Sequence, residues 1–297
     1  SAPPTSLVAP EVAAACREAD LLVMNLECCI SERGRPWPDP NKPFFFRAPP
    51  AALETLAHLG VDCVTLANNH ALDYGEEGLL DTLAHLDARG IAHVGAGPDE
   101  EAARAPVLLE AGGVRLAVLG VSDHPAAFAA GPSRPGIAFT DLVGGVPHWV
   151  TGTMKGLDAD AVVVTPHWGP NMTAEPVPHV RRAARSLIEA GAALVAGHSA
   201  HVFHGVEGPV LFDLGDFLDD YAVDPRLRND LGLLWFVELD QRGPRRLEAL
   251  PLRLDFCFTR RAEGEDAAWI RRRFRDACAA LGTEAVEEEG RLVVTWG

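Results

Sequence analysis

A chain of 297 residues is long enough to bury a large core, as one big α/β domain or as two smaller ones. Its formal charge of −16, from 26 basic and 42 acidic residues, argues against nucleic acid as a partner, because phosphate-backbone binding runs on surplus Lys and Arg. Hydrophobic content is 47%, but no run approaches the ~20 apolar residues that cross a bilayer, so no transmembrane segment is expected.

In chain order, ADLLVMNLE (19–27) reads as a buried strand and PAALETLAHLG (50–60) as a helix stopped by Gly60. VDCVTLA (61–67) is the next strand, GLLDTLAHLDARG (78–90) the next helix, and IAHVGA (91–96) a short strand. VLLEAGGVRLAVLGVSD (107–123) predicts a hairpin turning at Gly112-Gly113. DAVVVTPHWG (160–169) is a strand, HVRRAARSLIEAG (179–191) a helix and ALVAGHS (193–199) a strand. Such alternation predicts an α/β architecture with helices covering sheet faces. Beyond residue 200 come strand-like runs joined by tight turns: HVFHGVEGPVLFDLGDFL, LGLLWFVELD and RRLEALPLRLDFCFTRR. They predict a second, more antiparallel sheet, followed by a helix over 265–282 and a last strand over 291–296. With no linker and no repeat, the whole of 1–297 is expected to form one domain with two sheets. Six cysteines without a CxxC spacing read as free thiols in a reducing compartment, and the cytoplasm is the expected location.

Four strand ends finish in residues able to bind a metal: Asn25 and Glu27, Asn69 and His70, His167, and His198 with His201. Ligands in open α/β sheets sit outside the carboxyl ends of strands. Imidazole, carboxylate and amide oxygen together suit a borderline divalent ion such as Mn, Fe or Zn. Taken singly, each group has a plainer reading: the NNH of 68–70 as a turn, His167 as a loop-entry residue, Glu27 as an exposed strand end. Their coincidence favours a metal site.

In these motifs (NLE, ANNHALDYGEEGLLDTL, HWG, GHSAHVFHGVE, together with KPFFFRAPP and GIAHVGAG) the sequence resembles the CapA-type proteins of poly-γ-glutamate capsule biosynthesis, a group within the calcineurin-like metallophosphoesterase superfamily. The resemblance runs from about Ala19 to about Asp230. It implies a four-layer α/β/β/α sandwich of two mixed sheets flanked by helices. It also implies that Glu27 bridges two metals, that Asn69, His167 and His198 complete one site, that His201 serves the other, and that His70 acts on the substrate. The family's first motif, a strand ending in Gly-Asp, has no counterpart here. One well-formed site and a second, incomplete one are therefore expected, and truncation ahead of Ser1 is expected over a natural loss.

The expected activity is that of a metal-dependent phosphoester hydrolase, with His70 protonating the leaving oxygen or stabilising its charge. A γ-glutamyl or amide-acting hydrolase, and a non-catalytic subunit of poly-γ-glutamate synthesis, are the alternatives. The substrate is expected to be a small molecule or polymer bearing phosphate or glutamyl groups. Asn25, Arg47, Asp216, Asp220 and Arg228 are candidate substrate contacts, with surface or internal pairing as the plainer reading for both arginines.

Overall fold

The computed structural model describes residues 4–296. Its central element is a six-stranded sheet in the order Val206–Glu207, Val210–Leu211, Leu194–Ala196, Ala161–His167, Val114–Ser122, Val107–Ala111. The three inner pairings are parallel, with Val163 opposite both Val118 and Leu194. The two edge strands turn back antiparallel, Val107–Ala111 through the expected hairpin. Val23–Asn25, Cys63–Thr65 and Ala92–Val94 form a parallel three-stranded sheet. The C-terminal third adds an antiparallel sheet of Leu231–Asp240, Gly243–Asp255, Phe258–Arg261, Val286–Glu288 and Arg291–Thr295.

Alternation along the strands sorts these sheets into layers. In the six-stranded sheet, Val118, Ala161 and Val163 point into a central core. Their neighbours Ala117, Leu119, Val162 and Val164 point the other way, onto helices His148–Lys155 and Pro178–Glu189. Cys63, Leu233, Leu247 and Ala249, from the three- and five-stranded sheets, face the same central core. Val64, Leu234, Leu250 and Leu252 face an outer core closed by helices Pro10–Cys16, Ala52–Leu59 and Gly75–Arg89. The order is helices, sheet, sheets, helices: the mixed α/β, four-layer arrangement implied by the resemblance. One of the two inner layers is shared by two separately hydrogen-bonded sheets rather than formed by one. Helix Gly264–Ala280 departs from the layering, since Ile270, Phe274 and Cys278 enter the central core.

Helix stops follow the sequence. Gly60 and Gly90 end their helices in the left-handed region, φ 81° and 69°, where a side chain would be strained. The strand-like reading of 201–218 is corrected. Only Val206–Glu207 and Val210–Leu211 are extended there, and the chain from Phe212 to Asp230 is loop. Its apolar residues mimic a strand, but Asp213 bends the chain by accepting from Ala200 N at 2.7 Å and Gly215 N at 2.9 Å. Helices Pro10–Cys16 and His148–Lys155 went unpredicted, being too short to show a period. All six cysteines are free, and among the described residues no helix is long and apolar enough to cross a membrane.

Candidate functional site

Parallel strands deliver the predicted side chains from their carboxyl ends. Glu27 follows Val23–Asn25, Asn69 and His70 follow Cys63–Thr65, His167 ends Ala161–His167, and His198 and His201 follow Leu194–Ala196. They come together. His70 Nε2 lies 3.9 Å from Glu27 Oε1, and His167 feels the charges of His198, His124, His201 and His70.

The two neighbouring amides divide the work. Asn68 is the turn residue, fully buried. Its Nδ2 donates to Asn25 Oδ1 at 3.0 Å and Leu26 O at 2.9 Å, and its Oδ1 accepts from His70 N at 3.1 Å. Asn69, by contrast, leaves its Oδ1 buried with no partner. Asn25 braces Glu27 by donating from Nδ2 to Oε2 at 2.8 Å, while Glu27 Oε1 is a buried orphan.

His70 belongs to a triad that sequence reasoning missed. Fully buried Asp73 accepts from His70 Nδ1 at 2.6 Å and from Phe46 N at 2.6 Å through one oxygen, and pairs with Lys42 Nζ at 2.9 Å through the other. Lys42 also donates to Asn69 O at 2.8 Å. The carboxylate therefore fixes the His70 tautomer with hydrogen on Nδ1, leaving Nε2 on the Glu27 side. Burial lowers the His70 pKa, and the Asp73 hydrogen bond opposes that shift. The signal was present in the sequence as the spacing His70-x-x-Asp73, which on a tight turn brings the two side chains together.

His167 and His198 face one another, Nδ1 to Nδ1 at 2.7 Å. His198 Nε2 is 3.1 Å from Thr165 Oγ1, whereas His167 Nε2 is buried without a partner. If Nδ1–H of His167 donates to His198, the orphaned Nε2 carries a free lone pair. Burial pushes His198 down to about 3 and His167 well below the usual range, so both rings are neutral. Neutral imidazole is the form that binds metals. Gly197 is required beside them: a Cβ there would collide with Phe212 O and the Trp168 indole.

His201 sits at φ 60° in the turn that Asp213 anchors, and its Nδ1 is 2.9 Å from Asp216 Oδ1. Asp216 Oδ2 and Asp219 Oδ2 are buried orphans. Burial raises Glu27 to about 7, helped by Asp216 and opposed by His201. It raises Asp216 to about 7 and Asp219 to about 8, the latter helped by Asp216.

The remaining candidates have other engagements. Arg47 stacks on Tyr74, 4.1 Å from the ring centroid, and Arg228 is paired with Asp230 and Asp266 at 2.8 Å each. Asp220 is exposed. Asp123 holds His124 Nδ1 at 2.5 Å and receives Gly169 N at 3.0 Å. The His124 ring lies 4.9 Å from that of His167.

A divalent ion is tested by these orphans. Glu27 Oε1, Asn69 Oδ1 and His167 Nε2 are electron-pair donors shut away from water with nothing to donate to. Buried polar atoms are almost always satisfied, and a cation would satisfy these. The donor chemistry fits. The expected well-formed four-ligand set is nevertheless not assembled: among the described residues no three His, Cys, Asp or Glu side chains form a metal-holding group. His198 gives the visible reason: both its ring nitrogens are engaged, with His167 and Thr165.

A mixed α/β fold with a buried cluster of carboxylate, amide and imidazole donors is the class these observations define. The chain belongs to the bacterial capsule synthesis protein family PGA_cap, which matches residues 4–221. It is 32% identical over 294 residues to a probable polyglutamine synthesis accessory protein of Mycobacterium tuberculosis, covering 92% of this chain and 76% of that one. It is 30% identical over 242 residues to the PGA biosynthesis protein CapA of Bacillus subtilis, covering 80% of this chain and 62% of the relative. A hypothetical protein of Thermus thermophilus of known structure aligns over 86% of this chain and 93% of its own at 17% identity, with a TM-score of 0.44.

Proposed function

We propose that the chain is a metal-dependent hydrolase of the phosphoesterase type, working within the poly-glutamate capsule chemistry for which its relatives are named. The observation that carries this reading is that Glu27, Asn69 and His167, all just past or at the carboxyl ends of parallel strands, each keep a buried donor atom without a partner, with an Asp73-oriented imidazole 3.9 Å from Glu27. Glu27, Asn69 and His167 would hold the ion. His198 would support it through His167, joining the ligands only by giving up its own hydrogen bonds, and His201 with Asp216 would serve a second position. A divalent ion bound there would supply Lewis acidity and a water acidified to a pKa of about 7. The protein's own part is positional. Asp73 and Lys42 lock the His70 ring, and Nε2 is the atom left to hold a proton against a leaving oxygen. Asn68 and Asn25 keep Asn69 and Glu27 in place from behind.

A non-catalytic, accessory role is the second reading, favoured by the name of the Mycobacterium tuberculosis relative and by the unassembled donor set. One assay separates the two. Protein stripped with chelator should release no p-nitrophenol from p-nitrophenyl phosphate, and added Mn, Fe or Zn should restore release. Silence with every metal favours the accessory role.

A further inference from the structure

We propose that Phe44, Phe46 and Tyr221 form a subsite for the leaving group, and that it takes a flat aromatic ring, as in an aryl or nucleoside phosphomonoester. This deepens the phosphoesterase reading and rests on it.

The loop carrying both phenylalanines is fastened to the His70 triad at each end. Lys42 Nζ binds Asp73 Oδ1 and Asn69 O at one end, and Phe46 N donates to Asp73 Oδ2 at the other. Between these ties Phe44 is 58% exposed, an apolar ring kept in water by a loop too well anchored to turn it inward. Its plane lies 7° from that of Phe46, with centroids 6.3 Å apart. Tyr221 closes the other side, 5.4 Å from Phe46 and 6.4 Å from Phe44. It also meets the His201 ring edge-on at 4.9 Å, so the aromatic group is continuous with the site.

Phe46 lies 4.2 Å from the His70 ring. If His70 stands at the leaving oxygen, whatever that oxygen carries next meets Phe46, then Phe44 and Tyr221. Three ring faces and edges favour another ring.

The test uses the full chain supplied with Mn, as wild type and as Phe44→Ala, a change at an exposed position that leaves the core untouched. By calorimetry, wild type should bind phenylphosphonate about tenfold more tightly than methylphosphonate, the scale of one ring-stacking contact, and Phe44→Ala should erase the difference. In turnover, Phe44→Ala should raise KM for p-nitrophenyl phosphate or adenosine monophosphate about tenfold and leave glycerol phosphate unchanged. The larger of the two effects identifies an aryl or a nucleoside ring as the natural occupant. Equal binding of the two phosphonates by wild type, or binding of neither, overturns the subsite. A ring preference in binding with no ester turned over supports the subsite and overturns the phosphoesterase reading alone.

Discussion

His70→Ala is expected to lower turnover of an aryl phosphate by about 10²–10⁴-fold, the range lost when a positioned acid or base is removed. Metal content should stay close to wild type. The two readouts part because His70 Nδ1 is taken up by Asp73 and its Nε2 stands 3.9 Å from Glu27 Oε1, while the orphaned donors lie on Glu27, Asn69 and His167. Truncating the imidazole removes none of those donors. It also keeps the backbone bond from His70 N to Asn68 Oδ1, so the turn carrying Asn69 survives. Loss of bound metal together with turnover would make His70 a ligand and the assignment of its role wrong.

Asp73→Ala should have the largest effect on stability. The carboxylate is fully buried, accepts from His70 Nδ1 and Phe46 N, and pairs with the Lys42 ammonium. Its removal leaves an ammonium that is 12% exposed without a counter-charge, alongside an orphaned amide and a freed imidazole. Breaking a buried pair in this way costs about 3–5 kcal/mol. Denaturant unfolding of the two proteins measures the difference. Asp73→Asn keeps an acceptor but loses the charge, so it should fall between Ala and wild type in stability. It should still lose activity, because an amide cannot both hold the His70 tautomer and balance Lys42. An Asp73→Asn protein with full turnover would show that the triad is a structural tie alone.

How much of this could be read beforehand depends on where each residue sits. The strand ends were legible, because apolar runs such as VDCVTLA and DAVVVTPH stop abruptly at polar residues, and the structure puts Asn69, His70 and His167 at those stops. Helix ends at Gly60 and Gly90 were legible for the same local reason. The loop from Phe212 to Asp230 was not, since its leucines and phenylalanines alternate like a strand while Asp213 bonds to backbone and bends it away. The mutual hold of His167 and His198 was also out of reach. It depends on two parallel strands approaching from positions 31 residues apart, a distance that spacing in sequence does not encode. Lys42 and Tyr221 were missed because loops place them, and each reaches the site only through contacts made by the folded chain. For Arg228 the sequence left a substrate contact and internal Arg–Asp pairing both open, and the folded chain pairs its guanidinium with Asp230 and Asp266.

The central claim is that donors from separate strands were folded to share one cation. Metal titration of chelator-stripped protein tests it most directly, with Mn, Fe and Zn each measured by calorimetry and by elemental analysis after desalting. The account predicts at least one tightly held equivalent in the wild type, with affinity weakened at least about tenfold in both His167→Ala and Asn69→Ala. A protein that takes up none of the three metals, or variants that bind as well as wild type, would contradict it.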